Sequence, residues 1–513
     1  MSNKGNRQSV NIASANFSRE VDVLVIGGGP AGTWAALSAT AKGASVVLVD
    51  KGCCGTSGAT ASAGTGVWYV PPDPAKRLAA MESREKLGGH LQDRTWMSRV
   101  LDRTYESVNL LAEWGQPFPE DDDGAQRRTN LRGPDYMRRR ITRAAVNVLD
   151  HSPALELLAD DDGAVVGARG VRRQQGGTWA VRAKAVVLAS GGCAFLSGGL
   201  GCNVLTGDGY LMAAELGAEF AGMEFSNAYA ISPAFSSVTK TRFYNWASFT
   251  YEDGSPIPGA GSHNGRSAIA RTLLTQPVYC QIDKADEKTQ AVMRTSQPNF
   301  FVPFDRAGID PFRQRFAVTL RLEGTVRGTG GVHLVDETCA TTVSGLYAAG
   351  DAATRQLVCG GFTGGGSHNA AWAMSSGFWA GAGAADYASQ ARRTSNGNLA
   401  YSSGGIALND GGATELDPAN LVRAVQDEVL PYTKNYFRSA EGLGDALERL
   451  DGHWREVRLA GASSADNVVK AREAAAMLAT SRWMYRSALA RTESRGMHRR
   501  DDLARSIRHS AIT

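Results

Sequence analysis

Three glycines and one aspartate near the amino terminus have the types and spacing needed to bind the pyrophosphate and ribose of a dinucleotide. Gly27, Gly29 and Gly32 match the pattern G-x-G-x-x-G, and Asp50 follows the third glycine by 18 positions. In such a pattern the first glycine permits a tight turn, the second lets the pyrophosphate approach the backbone, and the third lets a helix pack closely on a strand. The aspartate can accept hydrogen bonds from ribose hydroxyl groups. Because the pattern is short, it indicates a dinucleotide site only where it follows a predicted strand and begins a predicted helix.

The segments around these residues predict the β-α-β unit that must position them. Residues 21–26 form a β-branched apolar run of strand length, and residues 45–49 predict a second strand that ends at Asp50. Between them, residues 33–42 are alanine-rich with a helical pattern, and Gly43 ends that helix. The free N–H groups at the helix start and the positive end of its dipole would face the phosphates. The sequence therefore predicts a dinucleotide site at the start of the folded chain.

The next segment favours FAD over a nicotinamide dinucleotide. Residues 55–64 are all small, which would let a bulky tricyclic ring lie against the backbone. No second strand–G-x-G-x-x-G–helix unit follows downstream, whereas enzymes that bind FAD and a nicotinamide in paired domains need two such units. We therefore predict one tightly held FAD as the cofactor.

Composition and charge exclude several other classes of protein. The chain has 513 residues with 55 Lys and Arg against 51 Asp and Glu, so its net charge of +4 does not indicate a nucleic-acid binder. Its 59 glycines follow no triplet repeat, which excludes collagen. The seven cysteines form no C-x-x-C pair, so no zinc ribbon, iron–sulfur run or covalent haem attachment is predicted, and no metal. The first 20 residues are polar and no run of about 18 apolar residues occurs, so we expect a soluble cytoplasmic protein without a transmembrane segment.

Several longer motifs resemble the flavoproteins of the succinate dehydrogenase and fumarate reductase family. Residues 203–209 read N-x-x-T-G-D-G, residues 345–351 resemble the family's strand ending in an acid at the ribityl chain, and residues 493–500 are close to E-S-R-G-x-H-x-R. The family also includes L-aspartate oxidase, adenylylsulfate reductase and 3-ketosteroid dehydrogenase. The resemblance is carried by the nucleotide unit and by residues 56–72, 203–225, 328–383 and 493–500. It implies an α/β fold with a Rossmann-like FAD-binding domain, an inserted α+β capping domain and a carboxyl-terminal helical domain.

Changes in composition along the chain follow the family's domain plan. Aromatic residues become frequent between residues 225 and 328, where the family inserts a cap over the flavin. A polar segment then reads as a linker, and the sequence after it has a helical pattern with few turn signals. We therefore expect a flexible tail at 1–19, an FAD-binding domain at 20–222 and 328–394, a capping domain at 223–327, the linker at 395–416 and a helical domain at 417–513.

The residues expected to hold FAD come from the nucleotide unit and from the matching family motifs. Asn203 and Asp208 occupy family positions that hold the flavin nucleotide. Gly58 stands where respiratory members carry the histidine that links FAD covalently, so the resemblance implies a noncovalent flavin. The predicted cofactor residues are Gly27, Gly29, Gly32, Asp50, Lys51, Thr56, Ser57, Gly58, Gly64, Ser190, Gly191, Asn203, Asp208, Gly350, Asp351 and Ser367.

The resemblance also implies a reaction and a set of catalytic candidates. In this family flavin N5 exchanges a hydride with a substrate carbon, and a protein group exchanges a proton with the neighbouring carbon. Residues 265–271 are similar to the surroundings of the family's proton-donating arginine, which makes Arg266 the candidate acid or base. Tyr229, His368 and Arg495 are further candidates for the substrate pocket, the last two because their motifs approach the flavin or the cap in the family.

The groups that bind C4 dicarboxylates in the family are missing from this chain. The segment Asn227-Ala228-Tyr229 stands where those enzymes carry a histidine. Val326 and Phe362 lie near the positions of a second histidine and of a carboxylate-binding arginine. We therefore predict an FAD-dependent oxidoreductase that transfers a hydride at flavin N5, by dehydrogenation, desaturation or reduction of a small organic substrate other than a typical C4 dicarboxylate.

Two alternative functions and several electron partners stay open at this level. The chain could be an adenylylsulfate-reductase-like subunit that works with an iron–sulfur partner, or a flavin-binding subunit without catalytic turnover. Because the sequence encodes no haem or cluster ligands, the electron partner is expected to be separate. A ferredoxin-like iron–sulfur subunit, a quinone and dioxygen are all compatible with the sequence.

Overall fold

The structure is a computed structural model that describes residues 19–62, 65–118, 120, 124, 126, 128, 130–131, 135–239, 241–261, 265–362, 367–391, 400–401, 414–458, 460–461 and 465–503. The strands in these ranges are β1 (Arg19–Ile26), β2 (Val46–Val49), β3 (Thr65–Gly66), β4 (Asn130–Leu131), β5 (Asn147–Leu149), β6 (Ala154–Ala159), β7 (Val165–Val171), β8 (Thr178–Leu188), β9 (Phe220–Ala221), β10 (Ala228–Pro233), β11 (Ser248–Thr250), β12 (Val278–Gln281), β13 (Phe316–Glu323), β14 (Gly331–Val332), β15 (Leu346–Ala348), β16 (Ala400–Tyr401), β17 (Thr414–Glu415) and β18 (Ala460–Gly461). The helices are α1 (Pro30–Ala41), α2 (Pro74–Gly88), α3 (Arg94–Glu113), α4 (Asp135–Arg143), α5 (Asp208–Glu215), α6 (Gly265–Thr272), α7 (Glu287–Ser296), α8 (Pro298–Ala307), α9 (Gly324–Arg327), α10 (Gln356–Cys359), α11 (Ser367–Gln390), α12 (Pro418–Val429), α13 (Tyr432–Asn435), α14 (Ala440–Val457) and α15 (Ala465–Ala490).

The largest sheet has a parallel centre that carries the predicted β-α-β unit. Its strand order is β16-β6-β7-β8-β1-β2-β5, and β15 pairs with the end of β8. Strands β1, β2, β5, β8 and β15 run parallel, with Ile26 opposite Val49 on one side and Leu188 on the other. Strand β2 is buried over its whole length, as expected for an apolar run at the centre of a parallel sheet. Because these strands end at one edge, the turns that follow them converge there.

Helices α1 and α11 approach each other closely at two glycines of α11. A Cβ atom on Gly377 would lie 2.3 Å from the carbonyl oxygen of Ala31, and one on Gly381 would lie 2.1 Å from that of Ala35. The two glycines are four residues apart and therefore share one face of the helix. This contact holds the amino-terminal turn of α11 beside the turn between β1 and α1.

A second sheet is antiparallel and has a hydrophobic cluster of its own. Its strand order is β10-β13-β12-β11, and all four strands lie within residues 223–327. Aromatic side chains dominate the cluster, and the rings of Phe300 and Phe304 pack with their centroids 5.1 Å apart. Phe243, which lies in a short 3₁₀ turn, packs edge-to-face on Phe300 at the same distance. Of these aromatic residues, Phe243 reaches the wall of the cavity described below.

The carboxyl-terminal helices pack on the large domain through α15. Residues 474–479 of this helix are fully buried, and they belong to the same hydrophobic cluster as the central strands. This middle stretch of α15 is apolar on all sides, as expected for a helical segment that is surrounded by other elements. In the part of the chain that the structure describes, no helix is long and apolar enough to cross a membrane. The same residues include no group of three or more His, Cys, Asp or Glu side chains placed to hold a metal ion.

Candidate functional site

One large cavity opens at the edge where the parallel strands end. Its volume of about 960 Å³ lies at the upper end of the usual range for ligand sites. One wall comes from the turns of the large sheet, and the other comes from the antiparallel sheet domain, including Phe243 and helix α7. Most of the predicted cofactor residues line it: Gly27, Gly29, Asp50, Lys51, Ser57, Gly58, Ser190, Gly191, Asp208, Gly350, Asp351 and Ser367.

The turn between β1 and α1 has the geometry that the glycine pattern predicts. Gly27 has a φ of +110°, and a Cβ there would lie 2.2 Å from the carbonyl oxygen of Ala189. Gly29 is the N-cap of α1, and a Cβ there would project into open space, so its backbone is accessible from the cavity. Gly32 lies behind the turn, where a Cβ would be 1.8 Å from the carbonyl oxygen of Gly27. With Pro30 at its first position, α1 presents its remaining free N–H groups to an anion in the cavity.

The carboxylate of Asp50 is buried in the wall beside this turn. It accepts hydrogen bonds from the backbone N–H of Gly28 at 2.6 Å, from that of Gly52 at 2.7 Å and from the Ser57 hydroxyl at 2.8 Å. A carboxylate offers about four acceptor directions, so one is left for a ribose hydroxyl group. Together, the open space before Gly29, the free helix N–H groups and this acceptor fit the adenosine diphosphate part of FAD.

Lys51 and Asp208 line the cavity as a paired charge. The Lys51 ammonium lies 2.7 Å from Asp208, 2.9 Å from the Thr206 hydroxyl and 3.1 Å from Glu473. Burial works against the charge of Lys51, but the carboxylates of Asp208 and Glu473 outweigh it and raise the pKa of Lys51. Because Glu473 lies on α15, Lys51 joins the nucleotide end of the cavity to that helix.

Asp351 is held in place by a buried arginine. Arg355 is 1 % exposed, and its guanidinium pairs with the Asp351 carboxylate. The same guanidinium donates to the backbone carbonyls of Val326, at 2.9 Å, and of Gly328. The Arg355 side chain therefore links Asp351, which follows β15, to the segment between β13 and β14 that contains Arg327. Asn369, which the sequence did not single out, makes a similar tie by donating to the Val326 carbonyl at 2.9 Å.

Four of the predicted cofactor residues do not line the cavity in the described structure. Thr56 and Asn203 are exposed, and neither is among the lining residues. Gly32 acts through packing behind the nucleotide turn, as given above. Gly64 lies outside the described residues.

Arg266 lies in α6, behind the cavity wall. Burial lowers the pKa of Arg266, and the nearby cation of Arg327, which does line the cavity, lowers it further. Arg327 itself lies 3.1 Å from the carboxylate of Glu323, which is 1 % exposed and accepts a 2.7 Å hydrogen bond from Thr239. The predicted acid or base therefore belongs to a group of half-buried and buried charges that includes Glu323 and that reaches the cavity through Arg327.

The other three catalytic candidates lie around the cavity rather than in its wall. Tyr229 is buried, and its hydroxyl donates to the backbone carbonyls of Val429 at 2.9 Å and Leu430 at 3.0 Å. His368 is buried in the first turn of α11, with its ring centroid 4.8 Å from that of Trp68. Arg495 donates through Nε to the carbonyl of Gly89 at 2.6 Å. In this geometry Tyr229 joins the antiparallel sheet to the helical domain, and Arg495 holds the end of α2.

The fold and this site are those of a protein that binds the dinucleotide FAD. Comparison of the sequence with known protein families gives the same class. Residues 22–233 match the family model of the FAD binding domain, and residues 426–510 match that of the fumarate reductase flavoprotein C-term. The chain belongs to the succinate dehydrogenase/fumarate reductase flavoprotein superfamily and is one of its FAD-dependent oxidoreductases. The predictions of the superfamily, of the fold class and of FAD as cofactor are thus confirmed.

Relatives of similar length cover nearly the whole chain. A fumarate reductase (CoM/CoB) subunit of Methanothermobacter marburgensis is 25 % identical over 94 % of this chain and 94 % of its own length. Among solved structures, the E. coli quinol fumarate reductase flavoprotein superposes with a TM-score of 0.80 at 19 % identity, covering 96 % of this chain and 93 % of that one. Adenylylsulfate reductase from Archaeoglobus fulgidus superposes with a TM-score of 0.77 at 18 % identity, covering 98 % and 94 %. At these identities the structures establish a shared fold.

Proposed function

We propose that this oxidoreductase catalyses two-electron hydride transfer at flavin N5 with a small organic substrate other than a typical C4 dicarboxylate. The observation that carries the proposal is one large cavity that is lined both by the nucleotide turn at Gly29 and by Arg327. Arg266 does not line the cavity, but it lies near enough to Arg327 for the Arg327 cation to lower its pKa. Bound FAD would supply the hydride acceptor or donor.

The residues of this chain would bind the cofactor and shield the reaction from water. The N–H groups of α1 and the backbone at Gly29 would hold the pyrophosphate, and Asp50 would accept from a ribose hydroxyl. Asp351, fixed by Arg355, is the proposed partner of the ribityl hydroxyls. The antiparallel sheet domain, which supplies the second wall of the cavity, would limit the access of water to bound FAD and substrate, and this strengthens the electrostatic interactions there.

Arg266 is the proposed group that exchanges a proton with the substrate carbon next to the hydride-transfer carbon. An arginine is ordinarily too weak an acid for this step because its pKa lies above about 12. Burial and the Arg327 cation both favour the neutral form of Arg266, so its proton is easier to give away than that of an exposed arginine. In the oxidative direction the same side chain would take the proton back.

The contacts of Tyr229 support a substrate that differs from C4 dicarboxylates. The family places a histidine at this position, whereas the Tyr229 hydroxyl is directed to two backbone carbonyls of the helical domain. Val326, near the second histidine position, has an apolar side chain that is 2 % exposed. These side chains offer no donor for a diacid at the family's positions.

We propose that electrons reach or leave the flavin through a separate partner. The superposing structures include a quinol fumarate reductase, which favours a quinone or a protein partner over a cofactor within this chain. A ferredoxin-like iron–sulfur subunit, a quinone and dioxygen remain the candidates.

Anaerobic photoreduction of the FAD-loaded protein tests the proposed reaction. The reduced flavin is expected to reoxidise rapidly with at least one member of a panel of α,β-unsaturated acids and ketones, and only slowly with fumarate. Flavin absorbance near its visible maximum provides the measurement. Reduction of the oxidised flavin by sulfite with AMP would favour the adenylylsulfate-reductase-like alternative, and a flavin that no organic acceptor reoxidises would identify an inert subunit.

The flavin is expected to be released intact when the protein is unfolded. Gly58 has a φ of +85° and offers no side-chain atom for a covalent bond to the cofactor. Acid precipitation should therefore leave all FAD in the supernatant in a 1:1 ratio to protein, measured by absorbance and by mass spectrometry of the pellet. A pellet that retains flavin mass would contradict noncovalent binding.

A further inference from the structure

Two arginines from different parts of the fold, the half-buried Arg84 and the exposed Arg242, line the cavity and form what we call its cationic end. Arg84 lies on α2, and Arg242 lies in the antiparallel sheet domain, at the start of the turn that carries Phe243. Neither belongs to a motif that carries the family resemblance. They therefore bring positive charge to the cavity from segments that lie outside the family motifs.

The backbone around Arg84 is fixed by several contacts. Its own carbonyl accepts from the Gln92 amide at 2.8 Å. The carbonyl of Gly88 accepts from the Gly361 N–H at 2.9 Å, and Arg495 holds Gly89. The end of α2 is thus attached to the loop before α11 and to the motif at residues 493–500, so Arg84 has a defined position in the cavity wall.

The Arg242 cation acts electrostatically on the guanidinium group of Arg84. Burial lowers the pKa of Arg84, and the Arg242 cation lowers it further. Within the described ranges no carboxylate forms an ion pair or hydrogen bond with either side chain. By contrast, Asp208 and Asp351, which line the same cavity, are each paired with a basic side chain. Two like charges that face one cavity attract an anion strongly.

We propose that Arg84 and Arg242 together bind a carboxylate group of the substrate, with one guanidinium on each side of the cavity. This assignment rests on the proposed function, and it adds the substrate class, an organic acid bound by arginines that lie outside the family's motifs. Arginine suits the role because its planar fork matches a carboxylate with two parallel hydrogen bonds. A cation from each side would also hold the acid in one orientation.

Titration of the FAD-loaded protein with malonate, acetate and sulfate tests the assignment. The flavin difference spectrum reports binding, with ionic strength held constant by chloride. Malonate or acetate is expected to give a saturable change with the natural protein and to bind more tightly than sulfate. Arg84→Gln and Arg242→Gln should each raise the dissociation constant by about 10–100-fold, since each removes charged hydrogen bonds to the anion.

Matched controls and a double variant make the result specific. Lys86→Gln removes an exposed charge from the same helix, and Arg313→Gln removes one from the antiparallel sheet domain at a side chain that is 81 % exposed. Both should bind the anions as the natural protein does. The variant that combines Arg84→Gln and Arg242→Gln should lose less affinity than the product of the single effects, because both arginines hold one group. Arg84→Lys should recover part of the affinity.

Three results would overturn the assignment. The natural protein could show no saturable response to any of the three anions, or Arg84→Gln and Arg242→Gln could bind them normally. The variants could also fail to retain FAD under conditions in which Lys86→Gln and Arg313→Gln retain it, which would assign the arginines to the cofactor. The photoreduction experiment separates this assignment from the proposed function. Reoxidation by an organic acceptor without anion binding would refute only the arginine pair, and anion binding without any reoxidation would refute only the reaction.

Discussion

Replacing Arg266 with glutamine is expected to lower turnover by about 10²–10⁴-fold while leaving the FAD content and the flavin spectrum unchanged. The size follows from the removal of a general acid or base, since glutamine is polar and uncharged but cannot give up or accept the proton. Burial and the neighbouring Arg327 already destabilise the charged form of Arg266, which is the property that the proposed role requires. The measurement is the rate at which the photoreduced flavin is reoxidised by the acceptor found in the panel.

Arg271→Gln is the matched control, because Arg271 lies on the same helix and is exposed. Its guanidinium is 3.6 Å from Asp501 and 4.8 Å from the ring centroid of Phe437. This variant should reoxidise within about twofold of the natural rate, since exposed ion pairs contribute little. If Arg266→Gln turns over normally with a normal flavin spectrum, another group exchanges the proton. Loss of FAD from Arg266→Gln would instead assign Arg266 to cofactor binding.

The nucleotide end of the site is predictable because its geometry is local in sequence. Gly27, Gly29 and Asp50 act through one turn and the two strands on either side of it, and each lies where the pattern places it. The helix after this turn begins at Pro30, three residues earlier than the periodicity indicates. Proline is favoured at a first helical position because its fixed φ suits the helix and its missing N–H is not needed there.

The cationic end was not predictable because it depends on tertiary packing. Arg84 belongs to a largely exposed helix, and it faces the cavity only because the end of α2 is attached to distant segments. The spacing of residues in a motif also does not tell which side chains of a turn will face the cavity. Asn203 and Thr56 stand within recognised segments, yet both are exposed and away from the cavity lining. Sequence patterns therefore define the cofactor end better than the substrate end.

Replacing Arg472 with leucine is expected to destabilise the protein by about 3–5 kcal/mol, the usual cost of breaking a buried ion pair by removing one partner. Arg472 on α15 and Glu215 on α5 are each 4 % exposed, and their closest charged atoms are 2.5 Å apart. The same guanidinium donates to the Leu155 carbonyl at 2.7 Å. The variant would therefore remove the arginine from both a buried carboxylate and a buried carbonyl group. Urea unfolding at a fixed FAD concentration measures the loss, since free ligand shifts apparent stability.

Arg486→Leu on the same helix is the control, because Arg486 is 52 % exposed beside Asp451, and it should cost less than about 1 kcal/mol. Burial raises the pKa of Glu215, so in the Arg472→Leu variant this carboxyl would take up a proton on folding. A group that binds its proton more tightly in the folded state loses stabilising power as the pH rises, so the deficit of this variant should grow from pH 5 to pH 8. Adding Glu215→Leu should recover most of the lost stability, because two apolar side chains need no partner. If Arg472→Leu alone unfolds like the natural protein, the pair does not hold α15 on the FAD-binding domain.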